Sequence, residues 1–239
     1  MTALVLLALG VHDLAAVTPG RAARRPWLRL VAAVVAVLAG IVALTLSAGA
    51  GPGTLASASV ALGAACGWHG LAAAGRPVWR TAALGAVVVL AVAEHTGGLD
   101  VSRAPVGLTL LAAGLVLVET ANVATRDVLA LAGRPSGEAD PAPQGEDDAT
   151  GLRGGRFIGP MERLLMVVLG LMAAWQVVAA IMAAKGIVRF PEISRDARSH
   201  EPKGGPPGAS AEEFLIGSLA SWTLAAGAGL LVHLALTAR

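Results

Sequence analysis

The chain has 239 residues, 55% of them hydrophobic and only 14% charged, with a formal net charge of +2. A soluble domain carries nearer 25% charge, so an ordinary water-soluble fold is excluded. The small net charge, split among short segments, likewise excludes a nucleic-acid-binding surface. One cysteine, Cys66, leaves no internal disulfide and no thiolate metal cluster, and its small neighbours predict a packing role.

The apolar residues fall in blocks near bilayer length. They predict an all-α polytopic transmembrane helix bundle of about seven spans, or six if the first run does not cross. A β-barrel is disfavoured because the blocks do not alternate and no tyrosine is available for an aromatic girdle. Thr2 to Val17 is the first run. Its charges (Arg21, Arg24, Arg25) follow the apolar core, the reverse of a cleaved signal peptide, so it reads as a short span or a retained signal anchor.

Leu28 to Ala48 is a clean second span. Thr54 to Ala74 is weaker and rich in Ala, Gly and Ser; its Gly63-x-x-x-Gly67 spacing permits close helix contact. Thr81 to Thr96 ends at Glu94 and His95 before Gly97-Gly98. The fifth run begins after Pro105 and reaches about Ala124, with its helix continuing into water. Residues 133–157 are rich in Gly, Pro, Asp and Glu and read as a flexible acidic linker. This linker is the candidate surface for a cytoplasmic protein partner. It separates a five-helix region, 1–132, from a two-helix region, 158–239, of the same membrane domain.

Leu164 to Ala184 holds 21 residues without a formal charge, about 31 Å of helix and enough to cross a bilayer core. Arg153, Arg156, Pro160 and Arg163 bound it in front, and Lys185 and Arg189 behind. Gln176 lies fourteen positions after Glu162, so on one helix the two share a face, with Gly170 and Ala173 between them for close packing. Pro191 predicts that this helix stops at Phe190. Phe214 to Leu236 is the last span.

Lys/Arg counts beside the spans place the N-terminus outside, the acidic linker in the cytoplasm and Arg239 inside. The Lys185 to Lys203 loop then lies outside despite five basic residues, against the trend of the other loops.

Ionisable groups inside spans cost roughly 2.5–3.5 kcal/mol each, which makes them candidates for function. Glu119, Asn122, Gln176 and Glu162 form a candidate intramembrane polar site. Glu119 is the deepest of these, and Asn122 shares its face at i, i+3. Lys185, Arg189 and Glu213 form a candidate headgroup or anion site, with Glu212 or Glu213 expected to pair with the two cations. His12, Asp13, His69 and His233 are placed with Glu119, Asn122, Glu162 and Arg163 toward the inner side. Glu94, His95, Lys185, Arg189, Glu212 and Glu213 are placed toward the outer side. The histidines lack metal-ligand spacing within one helix and read as helix-end or packing groups. Glu162-Arg163 reads as a headgroup flank.

The last third carries a further pattern. It begins G-R-x-I-G-x-x-E-R (Gly155, Arg156, Ile158, Gly159, Glu162, Arg163). A-A-K-x-I-x-R-F follows (Ala183, Ala184, Lys185, Ile187, Arg189, Phe190), then E-F-L-I-G-S-L-x-S from Glu213 to Ser221. This resembles a family of bacterial multi-pass membrane proteins labelled only as a domain of unknown function. The resemblance implies a bacterial cytoplasmic membrane protein and carries no known activity or cofactor. That family often places an Asp four residues after a His near its start. Here Ala16 stands at that spacing from His12, and Asp13 is next to the histidine.

No P-loop, dinucleotide glycine motif, H-E-x-x-H or Ser-His-Asp order is present. Three classes of function stay open: small-solute or ion transport, a non-catalytic membrane scaffold, and a lipid-handling enzyme holding a headgroup phosphate with Lys185 and Arg189.

Overall fold

The computed structural model describes residues 1–18, 25–99, 101–133, 155–198 and 209–237, and within them it is all-helical. The helices are α1 (Thr2–Val17), α2 (Pro26–Ala48), α3 (Pro52–Ala74) and α4 (Pro77–His95), then α5 (Val106–Leu131), α6 (Gly155–Leu171), α7 (Trp175–Arg198) and α8 (Ala209–Thr237). Proline opens α2, α3 and α4, where its missing N–H costs nothing and its fixed φ favours the first turn. Gly75 closes α3 in the left-handed conformation, at φ +61°. Five helices, α2, α3, α4, α5 and the Ala211–Thr237 part of α8, are long and apolar enough to cross a membrane.

α1 is the centre of the bundle rather than a lipid-facing span. It is 16 residues, about 24 Å, and every residue from Met1 to Gly10 is buried beneath α2, α3 and α5. Two glycines make this possible. A Cβ on Gly10 would come within 2.8 Å of the Leu115 Cβ, and one on Gly40 within 2.5 Å of a Leu4 methyl. Backbones approach closely at those points, which is how membrane helices gain dispersion contact without a hydrophobic driving force. The expected contact at Gly63 and Gly67 is not made: a Cβ at either meets nothing within 4 Å, and Cys66 beside them is exposed. Small residues mark close contact only when another helix lies over them.

The stretch from Leu164 to Ala184 is not one span. The helix breaks at Met172–Ala174, where Ala173 adopts φ +56°. The turn is closed by Ala174 N–H to the Leu169 carbonyl (2.9 Å) and Ala173 N–H to the Gly170 carbonyl (3.0 Å). Glu162 and Lys185 would stand about 35 Å apart on a continuous helix. Instead the Lys185 ammonium donates to Glu162 Oε2 at 2.5 Å, so α6 and α7 form an antiparallel hairpin. Gly170 and Ala173 therefore serve the reversal, Gly170 lying under the Trp175 ring. Pro191 does not end the helix: α7 runs through it to Arg198, and Pro160 likewise lies inside α6. Residues 155–237 thus hold three helices, not two.

The hairpin changes which helix ends lie together. Thr54 to Ser102 (3.1 Å) and Thr2 to Glu94 (2.6 Å) gather the starts of α1, α3 and α5 with the end of α4. Leu231 and Leu234 of α8 line a cavity with Thr2 and Arg103 at that same end. The opposite end holds His12, His69, Arg80 and Asp127, and the start of α8 packs there, Gly217 against Thr125 and Leu129. The start of α1 and the end of α8 therefore share one end of the bundle, which corrects the expectation that the chain ends lie on opposite sides. Acidic-linker residues 134–154 and residues 199–208 lie outside the described residues.

Candidate functional site

Two buried polar groups occupy the half of the bundle away from Met1. The first is built on a π-helical segment, Val116–Thr120, inside α5. The Ala121 N–H reaches back to the Val116 carbonyl, one residue beyond the α-helical pattern, which leaves the Leu117 carbonyl without its usual donor. Arg163 fills that gap. Its Nε donates to the Leu117 carbonyl at 2.8 Å, Nη1 to Ser221 Oγ at 3.1 Å, and Nη2 to Asn122 Oδ1 at 2.6 Å and the Val118 carbonyl at 3.4 Å. The residue is 2% exposed, so the headgroup-flank reading of Arg163 is wrong. A guanidinium suits this place because its planar fork of donors can satisfy four acceptors on α5 and α8 at once.

Glu119 sits beside it, buried, accepting from Asn122 Nδ2 (3.2 Å) and Arg126 Nη2 (3.1 Å) of its own helix. Glu162, next to Arg163 in sequence, faces the other way. It takes Lys185 on one oxygen and the Trp222 indole N–H (3.0 Å) on the other, and the Lys185 ammonium stands 5.9 Å from the Trp222 ring. Lys185 is therefore tied to α6 and α8 through Glu162 rather than to Glu212 or Glu213. Glu213 is half-buried in the first turns of α8, and the side chain of Arg189 lies outside those described. Gln176 is exposed just after the α6–α7 turn and shares no face with Glu162. Of the expected polar set, Asn122 joins Arg163 directly and Glu119 through Asn122, whereas Glu162 is turned away to Lys185 and Trp222. His233 is exposed near the other end of α8, away from this group.

The second group joins α1, α3, α4 and α5. His12 Nδ1 lies 2.9 Å from Asp13 Oδ1, and His12 Nε2 lies 3.2 Å from His69 Nδ1. The Trp68 indole donates to the same Asp13 oxygen at 2.9 Å. With both imidazoles neutral, one tautomer satisfies every contact: His69 Nδ1–H donates to His12 Nε2, and His12 Nδ1–H donates to Asp13. A chain of proton positions then runs from partly exposed His69 to a carboxylate that is 5% exposed. Asp13 Oδ2 is buried without a partner. Nearby, Arg80 of α4 pairs with Asp127 of α5, also leaving Asp127 Oδ2 and Arg80 Nε buried and unpartnered. Among the described residues no three His, Cys, Asp or Glu side chains are arranged to hold a metal.

Sequence reading missed Arg80, Asp127, Trp68 and Ser221. The signal for Asp127 was present: α5 keeps its helical period to Leu131, so ending the span near Ala124 left Asp127 in water, whereas it is buried. At the opposite end, the Met1 ammonium (2.8 Å) and the Thr2 N–H (2.7 Å) and hydroxyl (2.6 Å) all donate to Glu94. Between the two ends α1 is apolar from Ala3 to Leu9. No family profile, curated protein or solved structure matches this chain.

Proposed function

We propose that the protein is a multi-pass membrane transporter of protons or a small cation, working through Asp13 and its histidine pair. The observation that carries this reading is a carboxylate buried inside the helix bundle with one bare oxygen, connected by His12 to His69 near the helix ends. Burying such a group costs several kcal/mol unless protonation or a cation compensates it. Asp13 Oδ1 accepts from His12 and Trp68, which leaves the partnerless Oδ2 as the position a proton or a cation would take. The relay lies toward one end of the bundle, and beyond it α1 is apolar from Leu9 back to Ala3. That geometry favours a carrier which must change shape over an open channel.

Topology belongs to the same proposal. The α6–α7 hairpin enters and leaves at the His12–Asp127 end, giving six crossings with α1 counted. Every basic segment, including Lys185 to Lys203, then adjoins that end, and the conflict in the charge count disappears. This end is cytoplasmic, and Met1 and the C-terminal end of α8 face outside. Membership of the bacterial multi-pass family resembled by the Gly155 to Ser221 pattern is part of the proposal.

The test is proton flux in proteoliposomes carrying an internal pH dye, driven by a potassium diffusion potential. The wild-type protein acidifies or alkalinises the lumen with the sign of the potential, and Asp13→Asn abolishes this while remaining folded. Flux equal to that of empty liposomes, or flux unchanged by Asp13→Asn, overturns the reading. The scaffold alternative rests on the acidic linker, Glu138 to Asp148. Deleting that segment leaves flux intact if the transport reading holds.

A further inference from the structure

Four buried side-chain atoms have no hydrogen-bond partner among the described residues: Asp13 Oδ2, Thr120 Oγ1, Asp127 Oδ2 and Arg80 Nε. They come from three helices, and helical spacing brings them to one seam, between α1 and α5. Gly10 faces α5 there, since a Cβ on it would stand 2.8 Å from the Leu115 Cβ and 3.1 Å from the Val116 nitrogen. Asp13 is three residues on from Gly10, and Thr120 is four on from Val116. The two helices run parallel, so both residues continue that contact toward the same end of the bundle. Asp127 follows Thr120 by seven residues, two turns along the same face, and holds Arg80 of α4. The hydroxyls of Thr81, Thr109 and Thr125 bond the carbonyl four residues back on their own helices, a bond that the Thr120 hydroxyl does not make. Ala124 lies between Thr120 and Asp127 on the face of α5, and Ala16 lies one turn beyond Asp13 on α1. Small side chains thus line the interval between the bare atoms.

We infer that ordered water in this seam joins Asp13 to Asp127, which makes Asp127 the second carboxylate of the proton route and the Arg80–Asp127 pair its port. The port role rests on the proton reading of Asp13. The bare atoms themselves select water over a metal cation. Two are carboxylate oxygens that accept, one is a guanidinium N–H that only donates, and one is a hydroxyl that does either. A cation satisfies the oxygens and repels the guanidinium, whereas water donates to the first and accepts from the second. Buried waters typically make two to four such bonds to groups the protein leaves unsatisfied. Seven residues of helix rise about 10 Å, an interval that two or three waters span at about 2.8 Å per bond. The Arg80 side chain is 20% exposed and that of Asp127 5%, so the pair stands where the seam meets the aqueous end. A proton on Asp13 then reaches Asp127 along these waters. Each water takes one proton on its oxygen and gives up another, so only the two carboxylates change.

Two cysteine variants, made with Cys66 replaced by Ala, test the water. Ala124→Cys places a thiol in the seam, and Ala112→Cys places one in the apolar core of the same bundle. Both positions are buried, so bulk solvent reaches neither. X-ray radiolysis makes hydroxyl radicals wherever ordered water is bound. The thiol of Ala124→Cys should be oxidised at least tenfold faster than that of Ala112→Cys, and equal rates overturn the inference. Thr120→Val, of similar shape, should lower the unfolding temperature. A hydroxyl stranded in dry packing would instead raise it on removal, and that result also overturns the inference. In the proteoliposome assay, Asp127→Asn and the charge-balanced pair Arg80→Gln with Asp127→Asn should each cut flux at least tenfold. Recovery in the double variant makes Asp127 only the counter-ion of Arg80 and removes the port. Wild-type flux equal to that of empty liposomes ends the proton reading and the port together, while the thiol rates and Thr120→Val still decide the water.

Discussion

Replacing Arg163 with Met roughly keeps the volume of the side chain and removes all four of its donated hydrogen bonds. Three donated bonds are within 3.1 Å and the fourth is 3.4 Å, to Leu117, Ser221, Asn122 and Val118. Hydrogen bonds between membrane helices average about 0.6 kcal/mol each in double-mutant cycles, with a ceiling near 1.7. Four such bonds give about 2.4 kcal/mol. Leaving the Leu117 carbonyl of the π segment without a donor adds to this, since a stranded buried acceptor costs about 1–3 kcal/mol. The expected loss is therefore about 3–5 kcal/mol. For a chain of this size, with about 2–4 °C per kcal/mol, the unfolding temperature falls by roughly 6–20 °C. The assay is thermal unfolding in a mild detergent, with the cycle completed by Ser221→Ala. The Arg163–Ser221 coupling should be about 0.6 kcal/mol or more. A loss below about 0.5 kcal/mol for Arg163→Met would mean that the guanidinium reaches headgroups rather than the opened turn of α5, and the reasoning would fail.

The remaining expectations concern the hairpin and the close contacts of α1. Ala173→Gly discriminates by sign: in a continuous helix it costs about 1 kcal/mol, whereas at a left-handed turn it relieves a strain of roughly 1–2 kcal/mol. Unfolding measurements should show stabilisation. With Cys66 replaced by Ala, single cysteines at Ser136 and Ser199 should both be protected from an impermeant thiol reagent in intact cells, and a cysteine at Ser102 should react. Labelling of Ser199 with protection of Ser136 would return α6–α7 to a single crossing. Gly10→Leu should destabilise by about 1–3 kcal/mol through overpacking against Leu115, while Gly63→Leu, facing open space, should stay within about 0.5 kcal/mol. Equal effects at the two sites would contradict the packing described for α1.

Composition alone determined that the described residues are helical and include several apolar segments of membrane length, because transfer of side chains from water depends on what they are and not on their neighbours. The starts of α2, α3 and α4 were legible within a few residues from where the apolar runs begin, at Leu28, Thr54 and Thr81, although the prolines that fix them locally (Pro26, Pro52, Pro77) were not read. Glu119 and Asn122 could be paired from spacing, since i, i+3 neighbours meet on any helix. The reversal at Ala173 was not legible: 21 uncharged residues satisfy the length of a span whether or not they cross, and an alanine gives no sign of a left-handed turn. Nor could spacing bring Arg163 to the Leu117 carbonyl, 46 positions away, or His12 to His69, 57 away. In helices apolar on every side, the pattern that tells inside from outside in a soluble protein is missing. Which helix lies at the centre is then set by close backbone approach, as at Gly10 and Gly40, and that exists only once the helices are packed together.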